Sequence, residues 1–342
     1  MVREQGDYLL VVAAGGFASR ALTLTGFGAK PKCLVNAGSS GATVLEEILR
    51  EADQSGIHDL VIVLTADRDP KILDRLIHPL REDPLLGDYL ERRGKIAELE
   101  LIRSRPRFRV RYVLQPEPRG FGEAVAMAYP HLLRDESKRR PYTGVAVALG
   151  DDLIHAPVPC LAQLVSAHRL NGAMTIAVQA VSRDEATQYG VAQVEPEPLA
   201  LGGKFTGKRA YRVVAVDEKP ADPKPNRLDG KDVYLAIVGR YVLNAGDIEF
   251  LRTGEGSLGR ELDFTGLLHK NIADGMLTAV EIRGTWHSVG TPLQAQKAFT
   301  HFALVPTTGE PTPEQRELAR YVRALLVEID ESEPRRNHTI HQ

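Results

Sequence analysis

The segment Tyr8-Leu9-Leu10-Val11-Val12-Ala13-Ala14-Gly15-Gly16-Phe17-Ala18-Ser19-Arg20 passes from an unbroken apolar run into a glycine pair and then a guanidinium. A strand with one solvated face alternates apolar and polar residues. This run does not alternate, so it reads as a strand covered on both faces, as in a parallel sheet. It is far too short to cross a bilayer. Outward from it, Thr43 to Asp53 places Val44, Leu45, Ile48, Leu49 and Ala52 on one helix face. Thr43 and Glu46 have capping-box spacing, and Gly56 stands where a C-terminal cap belongs. Leu60 to Leu64, Val110 to Leu114 and Val145 to Leu149 read as three more buried strands, with a helix starting near Gly122. This alternation predicts an α/β fold on a doubly wound, mixed but mostly parallel, Rossmann-like sheet.

The second half changes character. Met174 to Val181, Val191 to Val194, Tyr211 to Val216 and Tyr234 to Val238 read as strands with few helices between them. Pro196 to Lys208 and Lys219 to Lys231 read as loops, so a smaller β-rich elaboration is expected on the main sheet. Asp83 to Arg105 reads as an inserted, charged helical hairpin. Beyond Pro306, a linker leads to a helix with Leu318, Tyr321, Val322, Leu325 and Ile329 on one face, which needs a cover in this chain or another subunit. Glu331 to Gln342 reads as a disordered tail. The expected organisation is one domain over residues 1–305, in parts 1–170 (with the insertion at 83–105) and 171–305, followed by an appendage at 306–342 that holds linker, helix and tail.

Composition narrows the function classes. Of 342 residues, 43% are hydrophobic and 26% charged, which suits a cored globular protein and excludes a disordered chain or a fibre. Lysine plus arginine number 43 and aspartate plus glutamate 45, a net charge of −2, so no overall basic excess exists to hold a nucleic-acid backbone. Cys33 and Cys160 alone cannot build a disulfide framework or a four-cysteine zinc site. No signal-peptide pattern is visible near Met1. The expectation is a soluble, cytoplasmic protein without nucleic-acid or membrane partners. His338 and His341 read as solvated tail residues.

Four motifs carry the chemistry. Ala14, Gly15 and Gly16 end a strand, where small residues let backbone N–H groups approach a phosphate, and Arg20 adds a planar charged fork. An ordinary strand-to-helix turn has the same look, and the third glycine of the dinucleotide fingerprint is absent. Gly202 to Arg209 approaches a P-loop, but Arg209 stands where Ser or Thr would hold magnesium and a strand follows, so it reads as a basic connection. Lys30 and Lys32, around Pro31, are either a convergent polyanion site with Arg20 or a solvated pair. Gln115, before the Pro-Glu-Pro-Arg-Gly120 turn, either reads a base edge with its amide or caps the turn. Asp151 and Asp152 end another strand over the crevice where α/β sheets bind ligands and suit a hard cation such as magnesium. Asp152 alternatively caps a helix expected over Pro157 to Arg169.

Further segments extend the pattern: Gln115 to Val125, Tyr189-Gly190-Val191, Val216-Asp217-Glu218-Lys219-Pro220, Leu235 to Leu243 with Gly239-Arg240, and Gly290-Thr291-Pro292. In this order they resemble the sugar-1-phosphate nucleotidyltransferases (nucleotide-sugar pyrophosphorylases), most closely the bacterial UTP–glucose-1-phosphate uridylyltransferases, over approximately residues 8–304. The resemblance implies attack of a sugar 1-phosphate oxygen on the α-phosphorus of a nucleoside triphosphate, with pyrophosphate leaving. It assigns residues 1–170 to the nucleotide and 171–305 to the sugar phosphate. Ala14, Gly15 and Gly16 would approach the nucleotide, Arg20 and Lys32 (or Lys30) steady the triphosphate, and Gln115 and Gly120 read the base, a pyrimidine by preference with a purine still open. Gly190, Glu218, Lys219 and Gly239 would hold the sugar phosphate, with Lys219 cancelling its charge, and Asp151 would hold magnesium. A homo-oligomer is expected, with the C-terminal helix as a candidate interface.

Two departures from the family pattern stand out. Ala18 replaces a loop glycine. More consequentially, Ser288 in Trp286-His287-Ser288-Val289-Gly290 replaces the aspartate that is the second metal ligand. An active enzyme is the leading reading. A catalytically weakened paralogue that regulates or binds nucleotide is the alternative, favoured by Ser288 and opposed by the retained Arg20, Lys32, Asp151 and Glu218-Lys219 set. An NAD-linked dehydrogenase lacks its fingerprint here.

Overall fold

A computed structural model of the chain describes residues 8–16, 19–38, 41–79, 83–117, 119–133, 141–254 and 264–332. Ala18 and positions 333–342 of the expected tail lie outside these. The strands are β1 (Tyr8–Ala13), β2 (Asp59–Thr65), β3 (Arg109–Gln115), β4 (Gly144–Leu149), β5 (Asp152–His155), β6 (Met174–Val181), β7 (Gly190–Val194), β8 (Arg209–Glu218), β9 (Asn226–Leu228), β10 (Lys231–Leu243), β11 (Leu277–Glu281) and β12 (Thr285–Ser288). The helices that position the site are α1 (Val44–Gln54), α2 (Phe121–Ala126), α3 (Cys160–Asn171), α4 (Phe264–Ala273), α5 (Pro292–Leu304) and α6 (Pro313–Ser332).

The main sheet runs β3-β2-β1-β4-β10-β6-β11-β8-β7, with β9 paired to β10. Its first four strands are parallel, and β10 joins β4 antiparallel. β1 is buried on both faces, as its lack of alternation requires: Tyr8, Leu10 and Val12 enter one core, Leu9 and Val11 the other. Helices α1, α3 and α5 contribute to the first core and α2 and α4 to the second, so the sheet is covered on both sides. The fold is a mixed α/β layer in which the β-rich elaboration is continuous with the main sheet. The sheet is not mostly parallel as expected, because beyond β4 all its pairings except β6–β11 are antiparallel. Its join is the long β10, which pairs with β4 and β6 and, near its start, with β7. Strands β6, β11, β8, β7 and β10 thereby close into a ring.

α1 starts on the expected capping box, with Thr43 and Glu46 bonding each other's backbone N–H, and Gly56 follows it at φ 73°. Two helices, Pro84–Arg92 and Ile96–Arg103, occupy the charged insertion. Three further expectations need correction. The segment Lys219 to Lys231 is not wholly loop, because Asn226–Leu228 forms β9 on β10, with the Asn226 side chain bonding the backbone of Val194 and Ala192. Asp152 does not cap α3: it is the first residue of β5, and α3 starts at Cys160 with no side-chain cap from its preceding Pro159. The last helix continues to Ser332, through the first residues of the expected tail.

Candidate active site

The site is built where the winding of the sheet reverses. From β1 the chain moves to β2 on one side, and β4 later lands on the other. At such a switch point the loops after the two strands part and leave a crevice. Gly15 and Gly16 follow β1; Gly150 and Asp151 follow β4, held by the Gly150 N–H donating to Ala13 O at 3.0 Å. A cavity of about 360 Å³ opens here, lined among others by Gly15, Gly16, Lys32, Gln115, Gly120 and Asp151. A larger one of about 760 Å³ is lined by Arg20, Asp152, Tyr189, Glu218, Lys219 and Trp286 among others. Both contain Gly120 and Asp151, so they form one crevice that meets at the β4 turn.

In the smaller cavity, Gln115 is buried at the end of β3 and donates its amide N–H to the Glu123 carboxylate on α2. A Cβ on Gly15 would stand 3.3 Å from Thr65 N and 3.4 Å from Gln115 Oε1, so the β1 loop passes close to the ends of β2 and β3. Gly120 adopts φ 93°, a left-handed value, as it turns the chain into α2. Lys32 Nζ donates to Asp151 Oδ2 at 2.6 Å, the carboxylate side chain being about one-third exposed. Lys30 lines neither cavity.

In the larger cavity the sheet register brings Gly190 opposite Glu218. Lys219 donates its backbone N–H to Tyr189 O at 3.1 Å, and its ammonium lies 2.9 Å from Glu218 Oε1, both side chains more than half exposed. An exposed pair of this kind contributes little stability and stays available to a ligand. Gly239 on β10 is required sterically. A Cβ there would overlap the Asp152 carboxylate and lie 2.7 Å from Leu149 Cβ.

Sequence reasoning assigns Trp286, Tyr189 and Gln294 no role of their own, and Asp152 that of a cation ligand beside Asp151 or of a helix cap. Asp152 is almost fully buried, and its Oδ1 accepts from Trp286 Nε1 at 2.9 Å. Burial first, and then the adjacent Asp151 charge, push its carboxyl up to about 7. Trp286 meets Tyr189 edge-on with centroids 4.5 Å apart, and Tyr189 OH accepts from Gln294 Nε2 at 3.1 Å. The short ribbon β5–β12 aligns these groups: Ser288 pairs with Asp152, and Val289 N–H donates to Asp151 O at 2.7 Å. Ser288 thus stands beside the Asp151-Asp152 turn. The usable signals were the aspartate doublet and the chain's lone tryptophan.

Residues 9–303 match the family model of the nucleotidyl transferases. Among curated proteins, the UTP–glucose-1-phosphate uridylyltransferase YngB of Bacillus subtilis is 28% identical over 86% of this chain and 89% of its own length. A Staphylococcus haemolyticus UTP–glucose-1-phosphate uridylyltransferase is 29% identical over 76% of this chain and 81% of its own. Among solved structures, the UTP-bound UGPase from Acinetobacter baumannii superposes with a TM-score of 0.72 at 23% identity, covering 93% of this chain and 99% of that one.

Proposed function

The chain belongs to the nucleotidyl transferase family, and from that premise we propose that it couples a nucleoside triphosphate, UTP by preference, to a sugar 1-phosphate or a sugar-like cyclitol phosphate. The observation that carries this reading is the meeting of two cavities at Asp151, to which Lys32 is hydrogen-bonded, one cavity flanked by Gln115 and the glycine loop, the other by Glu218 and Lys219. A base and ribose fit the first and a phosphorylated sugar the second, which brings the reacting phosphates to the junction.

A sugar 1-phosphate oxygen bonds to the α-phosphorus as the bond to the β-phosphate oxygen breaks, and pyrophosphate leaves. Positioning and charge neutralisation do most of the work in such transfers. Arg20 and Lys32 steady the triphosphate. Gly15 and Gly16 let it approach the backbone. Gln115 offers donor and acceptor to the base edge, with Gly120 turning the chain beneath it. Gly190, Glu218 and Gly239 shape the sugar side, and Lys219 neutralises the incoming phosphate.

The donor set fits magnesium of the substrate-bridged kind. Among the described residues no group of three or more His, Cys, Asp or Glu could hold a metal, whereas magnesium commonly takes one or two carboxylates together with substrate phosphates and water. Asp151 would hold it, and the chemistry so supplied is neutralisation of phosphate charge at the reacting centre. The neutral Ser288 supports the second reading, a weakened paralogue that binds nucleotide and regulates. We also propose that the protein is a cytoplasmic homo-oligomer that associates through α6.

A matrix of nucleoside triphosphates against sugar 1-phosphates, read by pyrophosphate release with magnesium, tests the lead. Turnover is expected for a UTP pair. Asp151→Ala should lower it by about 100-fold or more at unchanged melting temperature. Blank wells throughout with folded protein would sink the lead. A large gain in rate from Ser288→Asp would instead identify a weakened site.

A further inference from the structure

We propose that Arg240 is a positioning residue for this reaction: its buried guanidinium fixes the backbone of two neighbouring residues in one wall of the sugar-phosphate cavity. Arg240 lies on β10 with 1% of its surface exposed. Its Nε and Nη2 reach Glu51 Oε2 of α1 at 3.0 and 2.9 Å. Nη1 donates to Gly239 O at 3.0 Å, and Nη2 donates to Asp152 O at 3.1 Å. The other oxygen of Glu51 accepts the Leu161 N–H at 2.9 Å, in the first turn of α3. One guanidinium therefore binds strand β10, the start of β5 and helix α1, and through Glu51 the start of α3.

A buried ion pair taken alone is a poor source of stability, because desolvating both charges offsets most of their attraction. What distinguishes this one is where its remaining donors go. They hold the carbonyls of Gly239 and Asp152, the two residues whose close approach forms one wall of the cavity, and Asp152 follows Asp151 directly. A planar fork reaches two carbonyls and a carboxylate from three separate nitrogens, whereas an ammonium carries all its donors on one. Arg240 itself lines neither cavity, so it acts through the lining residues it holds.

The inference rests on the proposed function for its kinetic reading and on crystallography for an independent one. Arg240→Met alone leaves Glu51 charged and buried and is expected to lower the melting temperature. Arg240→Met/Glu51→Gln removes both charges and keeps an acceptor for Leu161, so the melting temperature should recover. A merely structural pair would recover activity with it. A positioning residue would not: kcat should stay about 100-fold low, and KM should rise more for the sugar 1-phosphate than for the nucleotide. Crystals of the double variant should show the Asp151-Asp152 turn displaced from Gly239. Arg240→Lys, which retains a charge for Glu51, serves if the double variant does not fold and should show the same losses. Wild-type kinetics and an unmoved turn in either variant would overturn the proposal. Should the wild type turn over no substrate pair, the proposed function fails, and the position of the turn still decides this inference.

Discussion

Asp151 and Asp152 are neighbours in sequence with opposite fates. Asp151 faces the junction of the cavities and pairs with Lys32; Asp152 is turned inward against Trp286 and Gly239. The doublet was legible as an acidic strand end, but the inversion of successive side chains depends on β5 forming a ribbon with β12, a contact more than 130 residues away in sequence, as the Asp152–Trp286 bond records. The consequence is thermodynamic. A carboxyl raised from 3.8 to about 7 binds its proton more tightly in the folded chain. Its stabilising contribution is complete below the unfolded value and is lost as pH rises through the folded one. Asp152→Asn keeps an oxygen for the indole N–H and cannot ionise. Its melting temperature should exceed that of the wild type at pH 8, and the gap should close towards pH 4. A gap independent of pH across that range would show that ionisation of Asp152 carries no such cost.

Among the elements, those that the sequence made legible are those whose signals are local. The apolar run of β1, the capping box of α1 and the whole span of β6 rest on residues within each segment. The ribbon β5–β12 was not legible because its two four-residue strands have no period to read, and each is stabilised by the other and by what packs behind it. Behind it is α5, which sets His301 against His155 and His287 with ring centroids 4.9 and 4.5 Å away, beside Phe302. Burial, and then the neighbouring His301, lower His287 from 6.5 to about 4; burial likewise lowers His155 and His301. These imidazoles resist protonation in the folded chain only, so stability is complete above pH 6.5 and falls as pH drops towards 4. His287→Phe, which also removes a buried Nε2 that finds no hydrogen-bond partner among the described residues, should make the acid limb of a melting-temperature profile shallower. An acid limb of unchanged slope would show that the cluster does not govern how α5 is held on the ribbon.

Across the whole molecule, the net charge of −2 hides a local arrangement, with Arg20, Lys32 and Lys219 gathered around one crevice that also holds Asp151, Asp152 and Glu218. The sheet's two cores account for β1 to α5, while α6 stands apart. Its early turns lie against α5, and Tyr321, Leu325, Leu326 and Ile329 remain exposed on a 20-residue helix. The 3.6-residue period showed that this face exists. It could not show what covers it, because a cover belongs to another surface. Such a face, rimmed by charge, is characteristic of association sites. Since α6 contributes no residue to either half of the crevice, association and catalysis should separate cleanly. Deleting residues 309–342, beyond the Thr307–His155 hydrogen bond, should reduce the mass in light scattering from an oligomer to a single chain. The melting temperature should fall by only a few degrees, and turnover per chain should stay within about twofold of wild type, since no phosphate-binding group is lost. An oligomer that persists without α6 would place the interface elsewhere, and a single-chain mass for the intact protein would remove self-association as the cover for this face.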